Sequence, residues 1–341
     1  TDDRGEALFL TLGPGTYEAS AMLHGFATQE RREVWVRLGS LTALNVTMPE
    51  ATFEGEIQVF DETPVIDPMQ VGTEQVFDAE YIEKTAVGTW QRFIASPGAN
   101  APGVYWQSIY GSRSSENAWY VDGIEVTGTS AGGSGSSSFG IDAYQEIEVK
   151  TGGYEAEYGH ALGGITSAVM KSGGNTFSGS LDARYQADAF QESGDHFDPD
   201  LRENSNLAVE ATLGGPIIRD RLWFFAAFYH GEARSTPEDS PTTWSPTAQA
   251  PKAKLTWQAS PSWRATASYL GEWYVSKNGN ASRWTAPEAT RIVNDTTDTV
   301  SIGIDGMLSR AMLWTARAGY EKRSFDARPS SGDLETISHN N

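Results

Sequence analysis

From Phe177 onward the chain alternates apolar and polar residues with a regularity that few folds require. In Trp263–Trp273, one face carries Trp263, Ala265, Ala267, Tyr269, Gly271 and Trp273, and the other carries Arg264, Thr266, Ser268 and Glu272. Side chains of a strand point alternately to opposite faces, so this segment has one apolar and one polar side. At roughly 3.3 Å per residue and a tilt near 40°, the span between the two tryptophans projects to roughly 25 Å, about the height of the apolar band of an outer-membrane barrel between its aromatic girdles.

The pattern recurs. Phe177, Gly179, Leu181, Ala183, Tyr185 and Ala187 form one apolar face, and Leu207, Val209, Ala211 and Leu213 the next. A tight Gly214-Gly215-Pro216 turn is expected before Leu222–Tyr229, an unbroken apolar run whose lipid-facing side periodicity leaves open. Ala253, Leu255, Trp257 and Ala259 follow, then Val300, Ile302, Ile304 and Leu308, then Met312, Trp314, Ala316, Ala318 and Tyr320. Long polar connections (188–205, 231–251, 275–297) alternate with short ones (214–220, 260–262, 309–310). Short periplasmic turns and long extracellular loops are the outer-membrane pattern. The seven strands so counted would leave exposed edges, so part of a larger barrel is expected.

Composition excludes several classes. With 45 acidic against 25 basic residues and a net charge of −20, a nucleic-acid partner is not expected. The absence of cysteine rules out a disulfide scaffold, a thiolate metal site and a cysteine nucleophile. No apolar run reaches the roughly 18 residues of a membrane helix, which excludes helical spans only. The chain begins at Thr1 without a signal-peptide apolar region, so truncation at both ends is expected.

Four regions are expected. Residues 1–50 read as short strands joined by Pro14-Gly15 and Gly25-Phe26 turns and closed by Leu44-Asn45-Val46-Thr47-Met48. Residues 51–68 form an extended apolar-acidic segment with Pro64 and Pro68, either a linker or an edge strand for a partner sheet. Residues 69–174 read as a mixed α/β unit: short helices near Asp78–Lys84 and Trp90–Ile94, strands at Ala118–Val121 and Gln145–Lys150, an Asp122-Gly123 turn and a flexible 128–140 loop. Residues 175–341 hold the alternating strands.

The run YQEIEVKTGGYEAEYGHALGGITSAVMKSGGN (144–175) resembles the end of a TonB-dependent receptor plug. YGSRSSENAWYVDGIEV (110–126) is similar to that plug's arginine-glycine loop and "xDG" turn, and LGGPIIRDRLWFFAAFYHGEA (213–233) looks like the early barrel of the Oar-like branch. PGTYEASAMLHGFATQERREVWVRLGSLTALNVTM (14–48) resembles the end of a carboxypeptidase-regulatory-like domain, an immunoglobulin-like module lacking its opening strands here. The resemblance implies a mainly β chain: a partial immunoglobulin-like sandwich, an α/β plug domain and the first strands of a transmembrane antiparallel β-barrel. It implies the outer membrane of a Gram-negative bacterium, with plug and N-terminal domain on the periplasmic side. The implied partners are TonB, outer-membrane lipid and an external substrate, with no nucleic acid. Lys150-Thr151-Gly152 stands where siderophore receptors carry "IRG", so the role of that arginine does not transfer.

Within this frame Arg113, Glu116, Asn117, Trp119 and Phe139 are candidate ligand-facing plug residues. Arg113 and Glu116 would fix polar groups or pair with the barrel wall, Asn117 would hydrogen-bond, and Trp119 or Phe139 would stack on a ring. Val59, Pro64, Val65 and Ile66 mark the candidate TonB-interacting segment. No GxSxG, HExxH or P-loop string is present, and the histidines lack metal-ligand spacing. Asp195, Asp198 and Asp200 suit a solvated loop better than a Ca²⁺ site. Gly152-Gly153 and Gly163-Gly164 read as close-packed turns needing positive φ. No catalytic residue, metal or cofactor is expected. The expected function is TonB-energised import or export through a plugged barrel; the alternative is a structural or adhesive envelope protein without active transport.

Overall fold

The computed structural model describes residues 5, 7, 9, 12, 15–36, 42–49, 73–84, 109, 112, 114–127, 140–154, 158, 161–190, 204–237, 239–309 and 312–331. Three sheets of two, five and seven strands account for its β-structure, so the chain is mainly β as the alternation implies. The two-stranded sheet pairs β1 (Gly15–Ala21) with β2 (Gln29–Val36) in antiparallel fashion, with a register shift between Tyr17 and Ala19. Residues 44–48, expected to close that unit, lie outside any strand.

The five-stranded sheet combines β3 (Thr73–Asp78), β4 (Ala118–Val121), β5 (Ile124–Glu125), β6 (Tyr144–Gly152) and β7 (Ile165–Met170) in the order β3-β6-β7-β4-β5. The β4–β7 pair is parallel and the others antiparallel. A short helix, α1 (Ala79–Lys84), follows β3; the Asp78 carboxylate accepts the Tyr81 N–H at 2.8 Å and satisfies one donor of its open first turn. Ile82 fixes the helix to the core. Trp119, Val121, Ile147, Val149, Ala168 and Met170 fill this core, each worth roughly 1.5–3 kcal/mol for the larger side chains. Two residues of the neighbouring sheet, Phe225 and Leu270, belong to the same cluster. The five-stranded sheet, in the region expected to be a plug, and the neighbouring strand wall therefore share one apolar interior.

The seven-stranded sheet is an antiparallel meander of β8 (Ser178–Ala187), β9 (Asn204–Ile218), β10 (Leu222–Ser235), β11 (Ser245–Ser260), β12 (Trp263–Gly279), β13 (Arg291–Ser309) and β14 (Met312–Pro329). Among the described residues it is an open, curved wall with β8 and β14 at its edges. Register lines up the apolar faces: Leu255 pairs with Ala267, Ala267 with Ile302, and Ile302 with Ala318. The polar faces align as well, Lys254 with Ser268 and Ser268 with Ser301. The ambiguous run on β10 resolves with Phe225 and Tyr229 buried on the inner face and Phe228 exposed on the outer one.

Three sequence expectations about connections are corrected. Gly214-Gly215-Pro216 is strand, not turn: Gly215 pairs with Phe224 and Pro216 with Trp223, and the chain reverses at 219–221. Gly215 is small because the Phe177 ring lies where its Cβ would be, and the register shift between Leu222 and Trp223 accommodates the proline's missing donor. Much of the long polar connections is also strand, since β10–β11 and β12–β13 leave only 236–244 and 280–290 between them. Polar residues can extend a hairpin wherever both faces meet water, so polarity alone overstated the loops. The 188–203 connection lies partly outside the described residues.

At the end of the wall away from the short turns, the outer face changes character. Asp298 on β13 accepts the Tyr269 hydroxyl at 2.6 Å and the Trp273 indole N–H at 3.2 Å. At the opposite end Trp263 and Trp314 pack edge to face, 4.9 Å between ring centres.

Candidate gate between the plug sheet and the strand wall

The inner face of β11 carries the residues that seat the plug. Alternation turns Lys252, Lys254 and Thr256 inward while Ala253, Leu255 and Trp257 face out, and all three inward residues are buried. A lysine leaves water this completely only when its ammonium finds acceptors. Lys254 Nζ finds the Asp122 Oδ1 at 2.8 Å and the Met170 carbonyl at 3.0 Å. Lys252 Nζ lies 3.4 Å from the Gly140 carbonyl and 5.4 Å from the centre of the Tyr144 ring. The Thr256 hydroxyl donates to Ser172 at 3.2 Å.

The plug is shaped to receive them. Asp122 occupies the left-handed region, φ 49°, in the Asp122-Gly123 turn between β4 and β5. Its N–H donates to the Ala168 carbonyl at 2.9 Å and its Oδ1 accepts the Met170 N–H at 3.2 Å, so the carboxylate ties the ends of β4 and β7 together. Gly140 also has positive φ, 68°, and a Cβ there would come within 3.2 Å of Lys252 Nζ and 3.0 Å of Tyr229 Cβ. Next to it the Asp142 N–H donates to Glu210 Oε2 on β9 at 3.3 Å. On β14, Gly319 makes room for Ile124 of β5, whose Cγ2 would stand 2.6 Å from an added Cβ. Contacts from β9, β11 and β14 thus reach the 140–142 turn, the Asp122-Gly123 turn and the edge strand β5.

Within the plug, the polar face of β6 holds Glu146, Glu148 and Lys150, all buried. Burial pushes the Glu148 carboxyl up to about 8; a hydrogen bond that the protonated acid donates to Glu74 on β3 adds to the rise, and the Lys150 ammonium opposes it. That ammonium lies 3.8 Å from Glu148 and 5.1 Å from the centre of the Tyr158 ring.

The sequence-predicted ligand-facing residues fare unequally. Arg113 and Phe139 lie outside the described residues, as do Val59, Pro64, Val65, Ile66 and the Asp195, Asp198, Asp200 group. Glu116 is partly exposed, and its carbonyl accepts the N–H groups of Leu162 and Gly163. Two expectations are corrected. Trp119 is 1 % exposed, an interior residue of the plug with no ring face to offer a ligand. Asn117 is also buried, its Oδ1 taking the Gly164 N–H at 2.8 Å and the Ser112 hydroxyl at 3.1 Å, so it closes the Gly163-Gly164 turn. Those glycines are required by space, because Ser112, Asn117 and Ile109 fill the positions of their missing side chains, whereas Gly153 has positive φ, 72°.

Lys252, Lys254, Asp122 and Glu210 were absent from the expected site. Their signal was two lysines two apart on the polar side of an otherwise apolar-alternating strand. That marks an inward charge, but not the partner it meets.

A plug sheet seated against the inner, polar face of a transmembrane-type meander is a distinctive pairing, and known proteins share it. Residues 69–165 match the TonB-dependent Receptor Plug Domain family. The TonB-dependent transporter Oar of Myxococcus xanthus is 33% identical over 250 residues, covering 67% of this chain and 23% of that protein. Its 69–165 region is similar to the plug of TonB-dependent receptors. The chain spans about a quarter of the length of the Oar protein it matches. Among solved structures, the outer membrane transporter YddB from Escherichia coli superposes with a TM-score of 0.59 at 15% identity, over 75% of this chain and 40% of that one. The siderophore receptor PirA from Acinetobacter baumannii gives 0.56 at 19%, over 73% and 40% respectively. These two likenesses concern the fold: a receptor plug with the adjoining barrel strands.

Proposed function

We propose that the whole protein is an outer-membrane receptor that captures an external substrate and moves it through a plugged β-barrel, energised by TonB from the inner membrane. The observation that supports this reading best is the seating of the plug on the wall. Lys254 and Asp122, Lys252 and Gly140, and Glu210 and Asp142 meet across it in polar contacts, beside the apolar packing of Phe225 and Leu270. A gate needs such contacts, strong enough to close the lumen and few enough for a partner to shift. The relatives are transporters and receptors, and the protein is read as no enzyme.

The division at 50, 68 and 174 is carried into this reading: a periplasmic module, a TonB-interacting segment, the plug and the barrel. Glu116, with Arg113 and Phe139, remains the proposed ligand-contacting set. Deletion of 59–66 in the full-length protein tests the coupling. It should abolish energy-dependent uptake of whichever substrate class the gene neighbourhood indicates, leaving surface binding intact. Unchanged uptake would overturn it, and attachment without any TonB-dependent uptake would favour the adhesive alternative.

A further inference from the structure

Where the chain passes from plug to wall, a groove of about 430 Å³ opens between Asn175, Thr176, Phe177, Pro216, Ile217 and Arg219. Its apolar wall is on the outer face of the meander, at the end bearing the short turns. Phe177 and Ile217 are 69% and 54% exposed, and Leu213 and Leu181 continue the same exposed strip up the wall. Leu222 pairs with Trp257 at this level, so the groove lies at the aromatic row rather than in the middle of the apolar band.

The lip of the groove is basic. Asn175 accepts the Asp220 N–H at 2.9 Å and the Trp223 indole at 2.8 Å, and its amide donates to Asp220 Oδ1 at 2.6 Å. Asp220, held at φ 61°, is thereby turned back onto the linker. Arg219 and Arg221 flank it, and neither makes an ion pair with the described residues. A guanidinium without an ion pair among the described residues, at an apolar–aqueous boundary, suits a phosphodiester, which its planar fork can bind through two hydrogen bonds.

We propose that this groove holds one anionic glycerophospholipid of the inner leaflet. Its phosphate sits on Arg219, its glycerol region lies between Thr176 and Phe177, and one acyl chain runs along Ile217, Leu213 and Leu181. The inference rests on the outer-membrane reading above. The occupant would pin the plug-to-wall linker at the membrane surface while the plug rearranges.

The test uses the full-length protein reconstituted in vesicles of phosphatidylglycerol and phosphatidylcholine, extracted in mild detergent and weighed by native mass spectrometry. The wild type should retain phosphatidylglycerol over phosphatidylcholine by about fivefold, the scale set by one basic residue at a charged surface. Arg219→Gln should erase that preference and Arg219→Lys keep part of it. Thr176→Trp, which fills the groove without changing charge, should lower retention of both lipids. Excess inorganic phosphate should not displace the lipid; displacement would mean a free-anion site and overturn the proposal. Equal retention of the two lipids by the wild type, or a preference surviving both Arg219→Gln and Thr176→Trp, would also overturn it. Heat-modifiable migration of each protein reports barrel formation separately, so a failed outer-membrane reading would show in the wild type before any lipid is counted.

Discussion

Lys254 and Asp122 meet at 2.8 Å across the boundary between wall and plug, with side chains only 6% and 13% exposed. Removing one partner of such a pair leaves a charge in a dry interior, which costs about 3–5 kcal/mol, whereas removing both can be nearly neutral. Lys254→Met should therefore loosen the plug strongly, and Asp122→Asn in the same chain should restore much of the loss. A double-mutant cycle on plug release, read by urea titration of the folded barrel, checks this; additive effects would show that the pair does not hold the plug.

The lipid face gives a second outcome. Ala267 is exposed on the outer surface, and its neighbour Thr266 faces inward. Ala267→Arg should reduce membrane assembly more than Thr266→Arg, because a charge near the bilayer midplane costs about 2–4 kcal/mol. Equal yields of heat-modifiable protein would reverse the assignment of faces.

Gly164 has no room for a side chain, since Ile109 occupies the space and Asn117 holds its N–H. Gly164→Ala should destabilise the plug by about 1–3 kcal/mol through overpacking. Hydrogen exchange at β4 and β7 would show it, and unchanged protection would mean the turn yields freely.

Glu148 makes plug stability depend on pH. Its folded value of about 8 lies above the ordinary carboxyl value of 4.5, so the folded state binds the proton more tightly than the unfolded one. Stability from this group is then fully present below about 4.5 and falls as pH rises towards about 8. The other titratable groups nearby are Glu74, Glu146 and Lys150. Glu148→Gln should flatten the decline, measured by urea unfolding between those two pH values; an unchanged slope would assign it elsewhere.

The strand wall was readable because lipid and lumen impose opposite chemistry on alternate residues. Trp263, Ala265 and Ala267 could be placed on one face before any contact was known. Length was less readable: the register continues through polar residues such as Asn294 and Lys277, which show no apolar face. Within the plug, Ala118–Val121 and the Asp122-Gly123 turn were legible from local propensity and turn chemistry. Ile165–Met170 was not singled out as a strand: buried on both faces, it shows no alternation. The lysine–plug contacts were hidden for a different reason. Lys254 and Asp122 are 132 positions apart, and nothing local in either segment names the other.

Asp298, binding Tyr269 and Trp273 on the outer face, marks the height at which lipid must give way to water. Yet β12 runs on to Gly279, β13 starts at Arg291 and β14 ends at Pro329. Seven residues of β13 precede Asp298. At roughly 3.3 Å each and a tilt near 40°, they lift the sheet roughly 18 Å clear of the bilayer. Beyond that height the wall continues as a stiff hydrogen-bonded rim, braced across β13 and β14 where Arg323 Nη2 meets Asp295 Oδ2 at 2.6 Å.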